Sequence, residues 1–314
     1  GSATENKVFA LRADNGNTLW TFNGGNTVSM DIVSQGGYVD LASDKLYVAT
    51  ERTASTEQSS LWAIDVLEGT LAWSRNAGRM QVTPMMVGSR IFVGTQAGEV
   101  KALSKDDGTV IWSVSLGAFA ITANIMPEFR APYGNLVGVV GGDGKVYLVR
   151  DDGSAGTKVW GPIILASGVA ARSRVAIDST QGKVYVGAND SKMYQLNIAD
   201  GAVETSRVVD AMAGSTIGDP TFVFEDTNSD GILDDPRLLA GSSNGTIAKY
   251  CAPWADGTEL GPGTTFKAKR CSFDAECTAA TPQCTAWACL SGVCTSVPVP
   301  DGKTCDDINT LTGP

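Results

Sequence analysis

Short apolar runs recur along the chain, separated by clusters of Gly, Asp, Asn and Ser. That alternation predicts many strands joined by tight turns, with no helical period between them. One set of runs reads VFAL (8–11), LWAI (61–64), VKAL (100–103), VYLV (146–149), MYQL (193–196) and, more degenerate, IAKY (247–250). Most are preceded by a second β-rich run ending in small residues: KLYVAT (45–50), RIFVGT (90–95), LVGVVGG (136–142), KVYVGA (183–188) and RLLAGS (237–242). The links between the two sets, such as QAG, GDG, NDS and SNG, have the chemistry of short hairpin loops. The N-x-[ST] matches at Asn189 and Asn244 fall in these links and read as turns.

A further strand follows the first set and ends in tryptophan: DNGNTLW (14–20), LEGTLAW (67–73), DDGTVIW (106–112) and, loosely, GSAGTKVW (153–160). In each the last turn glycine lies four residues before the indole, as Gly16/Trp20, Gly69/Trp73, Gly108/Trp112 and Gly156/Trp160. Thr205 and Gly261 occupy the tryptophan register in the fifth and sixth units. Successive units are spaced by 53, 39, 46, 47 and 54 residues. Four antiparallel strands per unit of that length predict an all-β β-propeller of four-stranded blades, six to eight in number and open to being incomplete in this chain. A lone four-stranded sheet cannot hide both faces, whereas neighbouring blades cover one another. Each indole is then a spacer between blades, since repetition at one register argues for packing.

The pattern V-x-A-L-x-x-x-x-G-x-x-x-W, as in VFALRADNGNTLW and VKALSKDDGTVIW, resembles the PQQ-type propeller repeat over residues 7–250. That family includes quinone-dependent alcohol dehydrogenases and non-catalytic scaffolds such as the lipoprotein of the outer-membrane barrel-assembly machine. The resemblance implies the fold and leaves the activity open. Its enzymes hold the quinone with Ca2+, an acidic base, a stacking tryptophan and commonly a disulfide between adjacent cysteines. This chain has no adjacent cysteines and none before Cys251, so PQQ is not the expected cofactor. Asp14, Asp106, Asp107, Asp151, Asp152 and Asp200 fit turn positions instead. The first unit begins at its third strand, which leaves three readings: a small ring, part of a longer chain, or a ring completed by further domains or chains.

Composition narrows the chemistry further. There is no histidine, which excludes Ser-His-Asp and Cys-His relays and histidine-bearing zinc sites. A net charge of −10, with 24 scattered basic residues, offers no cationic surface to a nucleic acid. No run approaches the roughly 18 apolar residues of a membrane span, and no signal-peptide pattern opens the chain.

Two motifs stand outside the repeat. DTNSDGILDD (226–235) places Asp226, Asn228 and Asp230 at alternate positions, Gly231 at the bend, the Ile232 carbonyl next, and Asp234 beyond, with Asp235 as an alternate. This matches the first part of the D-x-[DN]-x-[DN]-G calcium loop, and its all-oxygen donors suit Ca2+. Arg237 stands where an EF-hand has its bidentate Glu, and no helices flank the loop, so a structural calcium loop between strands is expected. It is similar to loops in integrin-type propellers and in PilY-type pilus-tip adhesins. The plainer reading is an acidic solvated turn.

All seven cysteines, Cys251, Cys271, Cys277, Cys284, Cys289, Cys294 and Cys305, lie in the last quarter. Short spacings without histidine predict a disulfide framework and an oxidising compartment: outside the cell, at its surface, or in the periplasm. The region resembles cysteine-rich modules of secreted myxobacterial and deltaproteobacterial proteins. The expected division is a propeller over 1–268 and a disulfide-stapled extension over 269–314. The expected function is a non-catalytic scaffold contacting other proteins or a surface polymer, with a cell-surface adhesin and a quinone dehydrogenase as the alternatives.

Overall fold

The computed structural model describes residues 6–24, 30–33, 35–51, 59–129, 132–166, 169–225, 235–251, 265–267, 285–290 and 293–298. The described residues are all-β, and no helix among them is long and apolar enough to cross a membrane. A two-stranded sheet of β1 (Val8–Leu11) and β2 (Thr18–Phe22) comes first. Five four-stranded sheets follow. They are β3 (Tyr38–Asp40), β4 (Lys45–Ala49), β5 (Leu61–Asp65) and β6 (Leu71–Arg75); then β7 (Met85–Val87), β8 (Arg90–Gly94), β9 (Glu99–Ser104) and β10 (Val110–Ser115). The next two are β11 (Met126–Glu128), β12 (Leu136–Val140), β13 (Val146–Asp151) and β14 (Gly156–Ile163), and β15 (Ala171–Asp178), β16 (Lys183–Ala188), β17 (Lys192–Asn197) and β18 (Val203–Val208). The last comprises β19 (Thr221–Glu225), β20 (Asp235–Gly241), β21 (Thr246–Cys251) and β22 (Thr265–Lys267). A separate hairpin pairs β23 (Thr285–Leu290) with β24 (Val293–Pro298).

Within each sheet the strands pair antiparallel in chain order, so every sheet is a meander. This is the architecture of a β-propeller blade. The VFAL-type runs form the third strand and the tryptophan runs the fourth, in one register throughout. Ala10, Ala63, Ala102, Leu148 and Gln195 stand opposite Trp20, Trp73, Trp112, Trp160 and Thr205.

The core lies between sheets rather than within them, because β5, β9, β13 and β17 each send apolar side chains into layers on both faces of their sheets. Val8 and Phe22 of the two-stranded sheet pack with Val48, Trp62 and Ile64 of the next. Tyr47, Leu61 and Ala63 meet Ile91, Val93 and Leu103; Phe92, Ala102 and Trp112 meet Val137, Tyr147 and Val149. Two further layers join the fourth sheet to the fifth and the fifth to the sixth. Burying a large apolar side chain in such a layer contributes about 1.5–3 kcal/mol, so most of the stability resides in contacts between neighbouring repeats.

The turn between third and fourth strands recurs in detail. The Gly16, Gly69, Gly108 and Gly201 amides donate to the carbonyls of Arg12, Asp65, Ser104 and Asn197, four residues earlier. In these turns the glycine is left-handed, with φ of 73°, 66°, 72° and 76°, a region where a side chain costs about 1–2 kcal/mol. The register then slips by one residue, giving a bulge at Ala10/Leu11, Ala63/Ile64, Val110/Trp112 and Gln195/Leu196. Such a bulge sharpens strand twist where the outer strand leaves the turn. The loose fourth unit departs in the way its sequence suggests: Gly153 takes the positive φ (93°), and Gly156 has already joined the outer strand. The links read as turns also hold, with left-handed Ser191 (φ 70°) and Gly245 (φ 81°) at the two N-x-[ST] matches.

Candidate functional site: the sheet interfaces and the acidic rim

Trp20, Trp73, Trp112 and Trp160 each sit on a glycine of the next sheet. A Cβ built on Gly69 would lie 2.5 Å from the Trp20 ring; on Gly108, 2.5 Å from Trp73; on Gly156, 2.6 Å from Trp112; and on Gly201, 2.8 Å from Trp160. Real Cβ atoms do not approach so closely, so the missing side chain makes the platform. Gly69, Gly108 and Gly201 therefore serve twice, once for the turn and once for the indole, whereas Gly156 serves only as platform.

The ring nitrogen completes the socket. Trp20 Nε1–H donates to the Val66 carbonyl (2.8 Å), Trp73 to Lys105 (3.1 Å) and Trp160 to Ile198 (2.8 Å). Each acceptor is the third residue before the platform glycine, a position sequence reading passed over although its spacing is constant. In the altered fourth turn the acceptor becomes a side chain: Trp112 donates to Asp151 Oδ1 (2.9 Å). Asp151, expected as one more turn carboxylate, also accepts from the Gly153 amide (3.0 Å) and pairs with Arg90. It is thus a buried junction between the third and fourth sheets.

Other polar groups tie neighbours together. Lys105 reaches Asp40 of the preceding sheet (3.1 Å), and the Ser43 hydroxyl donates to the same carboxylate (2.5 Å). The Ser43 hydrogen bond, with Lys105, holds Asp40 below the usual carboxylate range. Asp210 accepts from Ser242 Oγ (2.5 Å) and from the Met212 amide (2.9 Å), linking the fifth sheet to the sixth. These bonds hold its pKa at about 2. At the turns between second and third strands, Tyr147 donates to Asp143 (2.8 Å) and Tyr194 to Asp190 (2.6 Å). Burial, then those carboxylates, push both phenols above their ordinary range.

Meander topology puts the first–second and third–fourth turns at one end of every sheet, and this rim is acidic. Its carboxylates are largely engaged in turn geometry. Asp65 accepts from the Leu67 amide (3.0 Å), Asp107 from Thr109 (3.1 Å), Asp178 from Thr180 (3.0 Å) and Asp200 from Ala202 (2.9 Å). Asp14 pairs with Arg12 (3.1 Å) and Asp152 with Arg150 (2.5 Å). Asp106 lies in the same third turn, before Gly108.

The expected calcium loop leaves from this rim between β19 and β20. Asp226, Asn228, Asp230, Ile232 and Asp234 lie outside the described residues; Asp235 opens β20, where the backbone register places it opposite Glu225. The backbones of Glu225 and Asp235, which bracket residues 226–234, are therefore one strand spacing apart. Among the described residues no group of three or more His, Cys, Asp or Glu is placed to hold a metal ion. Cys271, Cys277, Cys284 and Cys305 also lie outside the described residues. Cys251 ends β21, and Cys289 and Cys294 occupy facing backbone positions of the β23–β24 hairpin.

A comparison with curated proteins finds no match. Among solved structures, the computationally designed Ika8 protein superposes with a TM-score of 0.58 at 13% identity, covering 91% of this chain and 76% of that one. BamB from Moraxella catarrhalis gives 0.55 at 13% identity, covering 96% and 79%. The quinohemoprotein alcohol dehydrogenase from Comamonas testosteroni gives 0.53 at 14% identity, covering 90% of this chain and 50% of that one. Identities this low speak to the fold alone. A family profile, that of the outer membrane protein assembly factor BamB, matches residues 2–126 and 59–265. With repeat, sockets and family match together, the chain belongs to the PQQ-repeat β-propeller family described as outer membrane protein assembly factor BamB.

Proposed function

We propose that this protein is a non-catalytic β-propeller scaffold that works outside the cytoplasm, at the cell surface or in the periplasm, and binds other proteins or a surface polymer. The observation that carries the reading is the use made of its chemistry-bearing residues. The repeated tryptophans are seated in sockets between sheets, and the rim carboxylates cap backbone amides or pair with arginines. Groups committed to holding a frame are poorly placed to bind substrate or move protons. Membership of a family named for an assembly factor agrees with a role in protein contacts.

The cysteines support an oxidising location, and facing backbone positions for Cys289 and Cys294 suit a cross-strand disulfide. Calcium in the 226–235 loop would fix the rim of the sixth sheet, with Asp226, Asn228, Asp230, the Ile232 carbonyl and Asp234 or Asp235 as ligands. The same loop favours a second reading, a cell-surface adhesin. Reconstitution with PQQ and Ca2+ followed by dye-linked alcohol oxidation tests the scaffold reading: no turnover above background is expected, and sustained turnover would replace it with a dehydrogenase.

A further inference from the structure

The two most exposed large apolar side chains among the described residues, Leu41 at 80% and Leu67 at 72%, stand on rim turns of one sheet, that of β3–β6. Leu41 follows Asp40 in the β3–β4 turn, and Leu67 follows Val66 in the β5–β6 turn. The two turns are joined directly, since the Val66 amide donates to the Asp44 carbonyl (3.0 Å).

Neither turn needs its leucine. The β3–β4 and β15–β16 turns share one construction: Asp40 stands opposite Lys45 and Asp178 opposite Lys183. Each Asp accepts from the amide two residues on, Ala42 (3.1 Å) and Thr180 (3.0 Å). Ser179, 3% exposed, holds the place of Leu41 in the second of these turns. At the place of Leu67, two before the left-handed glycine, the first, third and fifth units have Asp14, Asp106 and Ala199. A single exposed leucine needs no explanation. Two on joined turns, at places filled elsewhere by small or polar residues, are apolar surface held out toward water.

The surroundings are acidic and fixed. Asp44 and Glu68, on the same two turns, are exposed, and their carboxylates have no hydrogen-bond or ion-pair partner among the described residues. Asp106 adds charge from the neighbouring turn of the third sheet. The lysines of these turns are already engaged, Lys45 with Asp65 (2.8 Å) and Lys105 with Asp40 (3.1 Å). Trp20 anchors the Leu67 turn through the Val66 carbonyl (2.8 Å). Both leucines therefore rise from backbone that is held in place, and covering them carries little ordering cost.

We infer that the Leu41–Leu67 rim of the second sheet docks a basic segment of a partner protein, whose leucine-sized side chains cover the two leucines while flanking Lys or Arg meet Asp44 and Glu68. Charge complementarity selects that occupant: free carboxylates with no competing cation attract a basic segment and repel an anionic polymer. The inference rests on the scaffold reading and names the partner's chemistry. It can fail separately, because the oxidation assay decides that reading and peptide binding decides this one.

The test uses the full chain and a labelled peptide of sequence Lys-Leu-Lys-Lys-Leu-Lys, with Lys-Ser-Lys-Lys-Ser-Lys as its control. Fluorescence anisotropy should show saturable binding of the leucine peptide with Kd on the order of 1 mM or tighter, and at least about tenfold weaker binding of the serine peptide. Leu41→Ser combined with Leu67→Ser should weaken leucine-peptide binding at least about tenfold. Asp44→Asn combined with Glu68→Gln should weaken it at least about threefold. Ile164→Ser, at a residue 61% exposed just past β14 at the end opposite the rim, should leave it unchanged. Every substituted side chain is exposed, so each variant should melt as the parent does. Lack of saturable binding would overturn the inference, as would equal binding of the two peptides or binding indifferent to either pair of substitutions. Self-association abolished by the two leucine substitutions would also overturn it, by naming a second copy as the occupant.

Discussion

Gly69 and Trp20 are one device seen from two sheets, and substitutions should show it. Gly69→Ala adds left-handed backbone strain of about 1–2 kcal/mol and forces a methyl to within 2.5 Å of the Trp20 ring. Its effect should therefore exceed that of Gly88→Ala, where φ is also positive (60°) but nothing lies within 4 Å; chemical denaturation of the two variants measures the difference. Trp160, 7% exposed and bonded to Ile198, is the most buried of the four repeat-register tryptophans after Trp112 and suits truncation. Trp160→Ala should cost about 3–5 kcal/mol, and Trp160→Phe should recover part of that loss but leave the Ile198 carbonyl without its donor. Asp210 gives a pH signature. Its folded pKa of about 2 lies below the unfolded carboxylate value of about 3.9. The stabilisation is therefore present above about pH 4 and is lost as pH falls through about 2. Asp210→Asn should lower Tm at neutral pH and flatten the Tm-versus-pH curve between about pH 4 and 2.

At the scale of elements, the sheet is the repeat but the layer between sheets is the unit of stability. Among the described residues the β1–β2 sheet enters one such layer, and a two-stranded hairpin has little stability of its own. Amide hydrogen exchange should accordingly be fast in β1 and β2 and slowest in β9 and β13, whose residues enter layers on both sides. The reverse order would mean that the first sheet is covered in the isolated chain. The β19–β20 connection offers a separate test. If the 226–235 loop binds calcium, the metal should raise Tm and EDTA should lower it, since a ligand that binds only the folded state stabilises by mass action. Superposable melting curves with and without chelator would reject the site. Asp230→Ala should abolish the calcium response and leave the calcium-free Tm unchanged.

For the whole molecule, sheets of one construction packed face to face make the frame regular from one repeat to the next. The rim is charged and regular, and its carboxylates are spent mainly on turns. A protein working in an oxidising compartment should show few free thiols by alkylation without reductant; full alkylation of all seven cysteines would argue against that location.

Much of this was legible beforehand because it is local. Strand runs, turn glycines and the tryptophan register depend on neighbours a few residues apart, and all six VFAL-type runs lie where their pattern put them. The indoles' role as spacers followed from repetition alone. Tertiary structure decided what depends on pairs far apart in sequence: that Trp20 reaches Val66, that a change of turn hands the fourth socket to Asp151, and that Leu11 is 57% exposed while Ile64, Leu103, Val149 and Leu196, at the same strand position, are buried. Periodicity names the faces of a strand, but only the stacking of one sheet on the next determines which face has a neighbour.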